Sequence, residues 1–356
     1  MSRLRVVYVY FNSHRERARE VEAGTGPDST MHGVNHLGAF GIEARIHEPR
    51  LTQRPYRSAL ASRVAWNARE LVLPLELRDA DVVVTPLGAL FPLAARATLH
   101  LGVVVLNYGL GLAYDRGSPA RRRLLAESLR SAATVACLGR SQAEHAIDRI
   151  GVAPERVRAM IIGVDERFFD ARPPSSPPAE PYVLTVGKDL SRDFATFAEA
   201  VSQLGVRAEV VAQPKNLAGV TLPESATVSQ PSFPELRELY AGASAVVLSQ
   251  RHDGYPYGSE AGGLTSLLES MAMGKPVVLS DRAVLRDYVE DGRNALVVPP
   301  EDPAALREAL ARILSDAQLA TTLGAQARAT VEERHAMRDF TERFVPVLRE
   351  AAPSRS

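Results

Sequence analysis

The sequence is poor in cysteine, in lysine and in long apolar runs. Cys137 is the single cysteine among 356 residues, so the chain can form neither an intramolecular disulfide nor a thiolate zinc cluster. No stretch approaches the ~18 consecutive apolar residues that a transmembrane helix needs, and the N-terminal segment lacks the small-residue cleavage site of a secretory signal. We therefore expect a cytoplasmic protein.

The chain also lacks a net charge, since it has 42 basic and 42 acidic residues. Proteins that hold nucleic acid are usually basic, so this balance argues against that class. The length and the apolar share of 46% favour a globular protein of two domains.

Proline is concentrated in one segment, because five of the eleven residues 171–181 are prolines. Such a stretch cannot continue a helix or lie in a central strand, and it predicts a semi-rigid linker. A surface loop within one domain is the alternative. The linker separates a first domain, residues 1–170, from a second, residues 182–335. Residues 336–356 are expected to form a C-terminal helix that packs back toward the first domain.

Short apolar runs rich in Val and Ile alternate with amphipathic stretches on both sides of the linker. The runs are residues 4–11, 80–86, 102–106, 133–138 and 157–162, and then 182–186, 208–211, 245–248, 276–279 and 295–298. Continuous apolar runs are typical of strands buried on both faces. The alternation predicts an α/β protein with two doubly wound parallel sheets, whose carboxyl edges would face a shared cleft.

The most informative stretch is residues 258–278. Gly262 and Gly263 form a flexible turn before a helix that begins near Thr265, and glycines at a helix N-terminus favour an anion site. Glu269 lies on the same helix face as Thr265, where a carboxylate would accept hydrogen bonds from sugar hydroxyls. A plain helix-turn-strand unit with a solvated Glu269 is the alternative.

A second group of residues follows the strand at 182–186. Gly187 ends this strand, and Lys188 and Arg192 come next, two cations that could neutralise a diphosphate. The alternative is a pair of surface charges balanced by Asp189 and Asp193.

These segments resemble the retaining glycosyltransferases of family 4, in the glycosyl transferases group 1, which have the GT-B architecture of two Rossmann-like domains. The family pattern Val-Gly-Arg has its counterpart at residues 186–188. The pattern Gly-Leu-Thr-x-Leu-Glu-Ala-Met-Ala is matched by Gly-Leu-Thr-Ser-Leu-Leu-Glu-Ser-Met-Ala at residues 263–272. Gly-Lys-Pro-Val-Val at residues 274–278 follows, as in the family. The resemblance covers residues 130–350 well and residues 1–130 weakly.

The resemblance implies a metal-independent transferase that takes a sugar from a nucleoside-diphosphate donor and needs no further cofactor. It implies that Glu269 binds the ribose hydroxyls and that Lys188 and Arg192 face the diphosphate. Backbone N–H groups around Gly263, Leu264 and Thr265 would hold phosphate as well. The partners expected are this donor and a hydroxyl acceptor that is a glycan, a lipid-linked sugar or a small molecule, and no nucleic acid.

The sequence departs from the family pattern at several positions. Ala261 stands where the family carries its first Glu, so either the neighbouring Glu260 or another polar group would contact the donor sugar. Asn107 stands where the family often has His, and it can bind a hydroxyl but cannot transfer a proton. On the acceptor side, Gly24 and Gly26 stand in the place of the family's glycine-rich loop, followed by a helix at residues 29–40 that carries His32.

The sequence leaves open the identity of the acceptor and two alternative functions. An arginine-rich stretch with apolar residues between the charges suggests contact with the inner face of a membrane, and a solvated surface is the alternative. Its residues are Arg54, Tyr56, Arg57, Leu60, Arg63, Val64, Trp66 and Arg69. Two other functions fit the same architecture: a sugar-nucleotide epimerase with Glu260 or Asp253 as its acid or base, and a non-catalytic homologue that serves as a partner subunit.

Overall fold

A computed structural model describes residues 3–10, 13–48, 69–86, 90–98 and 101–353. The chain divides into two compact units. Unit 1 comprises Met1–Glu20, Thr30–Ile162 and Arg338–Ser356, and unit 2 comprises Val21–Ser29 and Gly163–Met337. The domain limits expected from the sequence stay predictions. No helix among the described residues is both long enough and apolar enough to cross a membrane.

Unit 1 is built on six strands that pair in parallel throughout. They are β1 (Leu4–Val9), β2 (Ile42–His47), β3 (Val82–Thr85), β4 (Gly102–Asn107), β5 (Thr134–Cys137) and β6 (Val157–Ala159). The sheet order is β2-β1-β3-β4-β5-β6, and Val6 of β1 pairs with Val82 of β3. Because β1 lies between β2 and β3, the strand order changes direction beside it, and ligands of open parallel sheets bind at such a switch point.

Helices cover this sheet. They are α1 (Arg15–Glu22), α2 (Phe91–Thr98), α3 (Leu110–Asp115), α4 (Pro119–Ser131), α5 (Arg140–Asp148) and, from the C-terminus, α11 (Met337–Ala351). Residues 69–76 are helical as well. The division into units cuts α1 after Glu20 and places all but the first residue of α11 in unit 1.

Unit 2 repeats the plan with a second parallel sheet. Its strands are β7 (Tyr182–Val186), β8 (Arg207–Val211), β9 (Ala226–Ser229), β10 (Ala245–Leu248), β11 (Val277–Ser280) and β12 (Leu296–Val298). Its helices are α6 (Phe194–Leu204), α7 (Phe233–Gly242), α8 (Leu264–Ala272), α9 (Pro303–Ser315) and α10 (Ala317–Arg334). The order β12-β11-β10-β7-β8-β9 places the switch point between β7 and β10.

Helices of unit 2 begin where the sequence supplies capping groups. The Asp193 side chain accepts the Thr196 N–H at the start of α6, and Asp302 caps α9 just before Pro303. Ser232 and Glu235 form a reciprocal capping box at α7. These caps fix the helix starts relative to the strands that precede them.

The α/β class and the two doubly wound sheets predicted from the sequence are confirmed, and each predicted apolar run contains a strand. The sequence did not predict β2 and β9, which each lie at one edge of a sheet, because both are partly exposed and lack a continuous apolar run. The prediction of one continuous helix at residues 29–40 is wrong. Two 3₁₀ segments, Asp28–Met31 and Val34–Phe40, stand there, separated by His32 and Gly33, which both have positive φ.

We expect Leu310→Ala to lower the free energy of unfolding by about 2–5 kcal/mol, because it leaves a cavity among fully packed side chains. Leu310 is fully buried on α9 and belongs to the core cluster that contains Phe197 and Val210. Urea denaturation measures the change. Glu308→Ala, at an exposed position of the same helix, is the matched control and should change stability by less than about 0.5 kcal/mol.

Candidate functional site

Two loops meet at the switch point of unit 2. One is residues 187–193, between β7 and α6, and the other is residues 249–263, between β10 and α8. The Asp189 carboxylate holds them together, since it accepts the backbone N–H of Ser259 at 3.1 Å and the hydroxyl of Ser191 at 2.6 Å. We call this arrangement the Asp189 clasp. The loop that carries Lys188 and Arg192 is thereby fixed to the loop that leads into α8.

Arg192 runs back across the ends of the two central strands. Its Nη2 donates to Thr185 Oγ1 at 3.2 Å and to the carbonyl of Val247 at 3.3 Å. Gly187 makes this path possible, because a Cβ at that position would lie 2.8 Å from Arg192 Cδ. Arg192 is only 6% exposed, and burial lowers the pKa of its guanidinium to about 10, so the group stays charged at neutral pH.

The Arg192 guanidinium is incompletely paired. Its Nε and Nη1 are buried and have no hydrogen-bond partner among the described residues. The sequence left open that Asp189 and Asp193 balance the two cations. Asp193 caps α6 and pairs with Arg251 at 3.1 Å. Asp189 forms the clasp, and its charge raises the pKa of Arg192 without a hydrogen bond to it, against the larger effect of burial. A buried cation with two unused donors is costly unless an anion pairs with it.

The N-terminus of α8 lies at the end of the second loop. Gly263 is its N-cap residue, in the left-handed conformation with φ 87°, and no side chain caps the first turn. The Gln250 amide holds the carbonyl of Gly262. Leu264 is buried and anchors the helix start, whereas Thr265 is exposed. The first turn thus presents backbone N–H groups and the positive end of the helix dipole, a suitable arrangement for binding an anion.

Glu269 lies in the second turn of α8 and is 4% exposed. The Tyr240 hydroxyl donates to its Oε2 at 2.9 Å. Burial raises the pKa of Glu269 to about 7, while the Tyr240 hydrogen bond and the charge of Lys188 both lower it. Lys188 itself is exposed. The structure therefore brings Glu269 and Lys188 into electrostatic contact, with the carboxyl close to its midpoint of ionisation at neutral pH.

The two other carboxylates considered for chemistry differ in their surroundings. Glu260 is half-buried in the loop before α8. Asp253 is held by the buried Arg282, whose Nε lies 2.5 Å from Oδ1, and by the N–H of Ala283 at 3.1 Å. These bonds occupy both Asp253 oxygens, which disfavours Asp253 as the acid or base of an epimerase.

The acceptor-side residues of the sequence analysis do not fall into one unit. Gly24, in an exposed turn after α1, and the buried Gly26 belong to unit 2. His32 and Asn107 belong to unit 1. The Asn107 amide is engaged locally, because its Oδ1 accepts the Leu110 N–H at 2.9 Å and its Nδ2 lies 3.6 Å from the sulfur of Cys137.

His32 lies in an aromatic cluster at the carboxyl end of β1. Its Nδ1 is 3.1 Å from the Tyr10 hydroxyl, and its ring meets Tyr108 edge-on at 5.6 Å. His14 stacks on the other side of Tyr10 at 3.8 Å. Burial and the neighbouring His14 lower the pKa of His32 to about 4, so it is neutral at pH 7. A non-glycine residue with φ 49° beside a switch point is typical of binding sites.

No group of three His, Cys, Asp or Glu side chains that could hold a metal occurs in the part of the chain that the structure describes. The chain has one Asp-x-Asp sequence, at residues 79–81, and both of its carboxylates form ion pairs with arginines. Asp79 pairs with Arg45 at 2.9 Å, and Asp81 pairs with Arg5 at 3.2 Å.

Most of the arginine-rich stretch lies outside the described residues. This applies to Arg54, Tyr56, Arg57, Leu60, Arg63, Val64 and Trp66. Arg69, its last member, is buried at 4% exposure and does not form part of a solvated surface. The membrane contact stays a prediction.

Three residues of the site were not singled out from the sequence. Asp189 was considered only as a counter-ion, and neither Tyr240 nor Gln250 carried a signal. Tyr240 is 29 residues from Glu269 along the chain, so only the fold reveals the pair.

Comparisons with known proteins bear on the fold and on the enzyme class. Residues 215–330 match the family model described as Glycosyl transferases group 1. That segment contains α8 and Glu269 and lies wholly in unit 2. No curated protein matches the chain at a significant level.

Solved structures share the whole fold at low sequence identity. A glycosyltransferase from Rickettsia africae ESF-5 gives a TM-score of 0.70 at 13% identity over 99% of both chains. Anabaena Alr3699/HepE, solved with UDP and glucose, gives 0.69 at 15% identity over 96% of this chain and 99% of its own. Sucrose-phosphate synthase from Thermosynechococcus elongatus gives 0.72 at 18% identity over 98% of this chain and 99% of its own. The expected GT-B fold is confirmed, and the family match supports the expected enzyme class, a glycosyltransferase.

The raised pKa of Glu269 predicts a pH-dependent stability. The folded state holds this proton more tightly than the unfolded chain, whose carboxyl has a pKa near 4.5, so stability falls as pH rises from about 4.5 to about 7. Glu269→Gln still accepts the Tyr240 hydrogen bond and does not ionise. Between pH 4.5 and pH 7, the free energy of unfolding of the parent should fall by an amount on the order of 3 kcal/mol through this group, and that of Glu269→Gln should not. Urea denaturation at several pH values measures the difference.

Glu308→Gln, a change at an exposed carboxylate of α9, is the matched control and should keep the pH dependence of the parent. A stability difference between the parent and Glu269→Gln that stays constant from pH 4.5 to pH 7 contradicts the raised pKa.

Proposed function

We propose that the protein is a retaining, metal-independent glycosyltransferase that moves a sugar from a nucleoside-diphosphate donor to a hydroxyl acceptor. The observation that carries this proposal is the buried Arg192 guanidinium, with two unused donors, at the switch point of unit 2. A diphosphate bound there would supply the missing acceptors.

Three sources of positive charge converge on the proposed diphosphate. Arg192 supplies a planar fork, Lys188 an exposed ammonium, and α8 the N–H groups of its first turn, near Gly263. Transfer breaks the bond between the anomeric carbon and the phosphate oxygen, and that oxygen keeps the electron pair. Fixed cations stabilise this developing charge, so the site needs neither a metal nor a protein nucleophile.

In the retaining reaction, the acceptor oxygen bonds to the same face of the anomeric carbon that the diphosphate leaves. The departing phosphate oxygen takes the acceptor's proton, so charge and protons balance without a protein base. Glu260, in the loop before α8, is proposed to contact the donor sugar.

Glu269 is proposed to bind the ribose. It lies in the second turn of α8, in the turn that follows the proposed anion site at the helix N-terminus. Its Oε2 holds Tyr240 and its Oε1 is left to accept a ribose hydroxyl. The same interaction is used by the acidic residue of dinucleotide-binding folds.

The acceptor side is assigned to the switch point of unit 1, where His32 lies. A neutral imidazole beside the Tyr10 hydroxyl can exchange hydrogen bonds with an acceptor hydroxyl. Gly24, Gly26 and Asn107 stay predictions from the sequence. The acceptor is a glycan, a lipid-linked sugar or a small molecule.

A nucleotide panel tests the donor site. We expect one of UDP, GDP, ADP and dTDP, without metal, to raise the melting temperature, because a ligand at about 100 times its dissociation constant adds about 2.7 kcal/mol to stability. UDP is the first probe, since one neighbour was solved with UDP-glucose. Lys188→Ala and Glu269→Ala should each weaken binding at least about tenfold, as loss of a charged hydrogen bond does.

Arg312→Ala removes an exposed cation of α9 in the same unit and is the control, with affinity equal to that of the parent. If Lys188→Ala and Glu269→Ala both bind nucleotide like the parent, the site assignment is wrong. If no nucleotide shifts the melting temperature, the proposal gives way to a non-catalytic homologue.

Chelation tests the proposed metal independence. We expect EDTA to leave transfer activity unchanged, because Lys188 and Arg192 supply the charge that a metal would otherwise bring. Transfer is measured as release of the nucleoside diphosphate from the donor. Activity that EDTA abolishes and magnesium restores overturns this part of the proposal.

A further inference from the structure

The loop that leads into α8 contains a segment that the proposed reaction does not yet use. Residues 251–258 are anchored at both ends. Arg251 pairs with Asp193 at 3.1 Å and with Glu301 at 2.9 Å, and the Asp189 clasp holds Ser259 just after the segment. The loop is therefore fixed at its base on the rim of the donor site.

The anchoring extends into the segment itself. Asp253 is bound to the buried Arg282, and Tyr255 lies under the guanidinium of Arg251 at 5.7 Å. The N–H of Tyr255 donates to the carbonyl of His252 at 3.0 Å, which closes a turn. These contacts hold the residues up to Tyr255. Tyr257 follows them in the loop and is exposed.

Tyr257 is 60% exposed, more than any other large apolar side chain that the structure describes as exposed. Its ring meets the ring of Tyr255 edge-on at 5.7 Å. Leu190, on the partner loop of the Asp189 clasp, is 45% exposed. Each of the two loops joined by the clasp thus carries one exposed apolar side chain.

Single exposed apolar residues are ordinary on protein surfaces, and their position decides what they mean. Tyr257 is two residues before Ser259, which is bound to Asp189, next to Lys188. Its loop is anchored by the polar contacts of Arg251, Asp253 and Ser259 beside the loop that carries Lys188. Ligand sites combine such apolar surfaces with a few placed polar groups.

The order of the binding groups along the chain indicates which part of the donor Tyr257 would meet. The proposed ribose contact, Glu269, lies within α8, and the anion site at Gly263 lies at the helix N-terminus. The sugar is attached to the far side of the diphosphate from the ribose. It therefore extends away from Glu269, toward the loop before α8, where Tyr257 stands.

We propose that Tyr257 is a specificity-determining residue that packs its ring against the transferred hexose of the nucleotide-sugar donor; this rests on the proposed function. A pyranose ring has a face of C–H groups, and a flat aromatic ring covers such a face while the sugar hydroxyls at the edge stay hydrated. Ala261 has no polar side chain for the sugar, so a stacking contact from Tyr257 would add to the proposed contact of Glu260 in orienting it.

The test compares binding of a nucleoside diphosphate with binding of its hexose ester. UDP and UDP-glucose are the first pair, replaced by GDP with GDP-mannose or ADP with ADP-glucose if the parent prefers another base. Isothermal titration without metal gives the dissociation constants. We expect Tyr257→Ala to weaken the hexose ester about five- to tenfold and the diphosphate less than about twofold. Tyr257→Phe, which keeps the ring, should bind both like the parent.

Leu124→Ala is the control, because it also truncates an exposed apolar side chain but lies in unit 1. It should bind both ligands like the parent. Equal loss of both ligands in Tyr257→Ala assigns the ring to the nucleotide and overturns the proposal, and so does unchanged binding of both. Equal loss of the hexose ester in Tyr257→Ala and Tyr257→Phe assigns the effect to the hydroxyl and overturns the stacking role. A parent that binds no nucleotide at all refutes the proposed function first, and the role of Tyr257 falls with it.

Discussion

Burial of the Arg192 charge is the constraint on which the donor site depends. A guanidinium taken out of water costs several kcal/mol, and two hydrogen bonds from one of its three nitrogens do not offset this cost. The fold maintains the group all the same, by placing glycine at 187 and by fixing the loop with the Asp189 clasp. A chain that keeps such a cation beside two parallel strand ends holds a positive charge fixed at the switch point, where open parallel sheets bind ligands.

The remaining groups of unit 2 extend this site in one direction. The helix α8 has its positive end at Gly263 and carries Glu269 in its second turn, six residues further along the chain. Burial keeps Glu269 near half-ionised at neutral pH, which limits its repulsion of a neighbouring phosphate. The charge of Lys188 and the hydrogen bond from the Tyr240 hydroxyl favour the ionised form of Glu269. The pKa of Glu269 on α8 therefore depends on α7 and on the loop after β7 as well.

The sequence predicts the parts of the fold and site that depend on local pattern. Buried strands, α8 and the Gly262-Gly263 turn could be located because apolar continuity and glycine placement are local signals. The strands β2 and β9 could not, because their sequences mix polar and apolar residues on a partly exposed strand and so lack a continuous apolar run. The other two outer strands, β6 and β12, were located because each lies in an apolar run. Residues 28–40 have helical spacing, but positive φ at His32 and Gly33 divides them into two 3₁₀ segments.

The site residues show the same division between local and long-range information. Lys188, Arg192 and Glu269 were found by type and spacing, whereas the burial of Arg192 depends on Val247, 55 residues away. The partner of Glu269 is equally remote along the chain. Pairings of this kind arise only when β10 is placed between β7 and β11, so they follow from sheet order rather than from any local motif.

Backbone and side-chain bonds together join the two loops at the switch point. The loops after β7 and β10 turn toward opposite faces of the sheet, yet an antiparallel bridge pairs Arg192 with Gln250. The N–H of Asp193 donates to the carbonyl of Ser249 at 3.0 Å, and the N–H of Arg251 donates to the carbonyl of Ser191 at 2.8 Å. The Asp189 carboxylate adds a side-chain connection, with acceptors for Ser191 on its own loop and for Ser259 on the other. Together, these bonds fix the loop that carries Lys188 and Arg192 relative to the loop that carries Tyr257 and leads into α8.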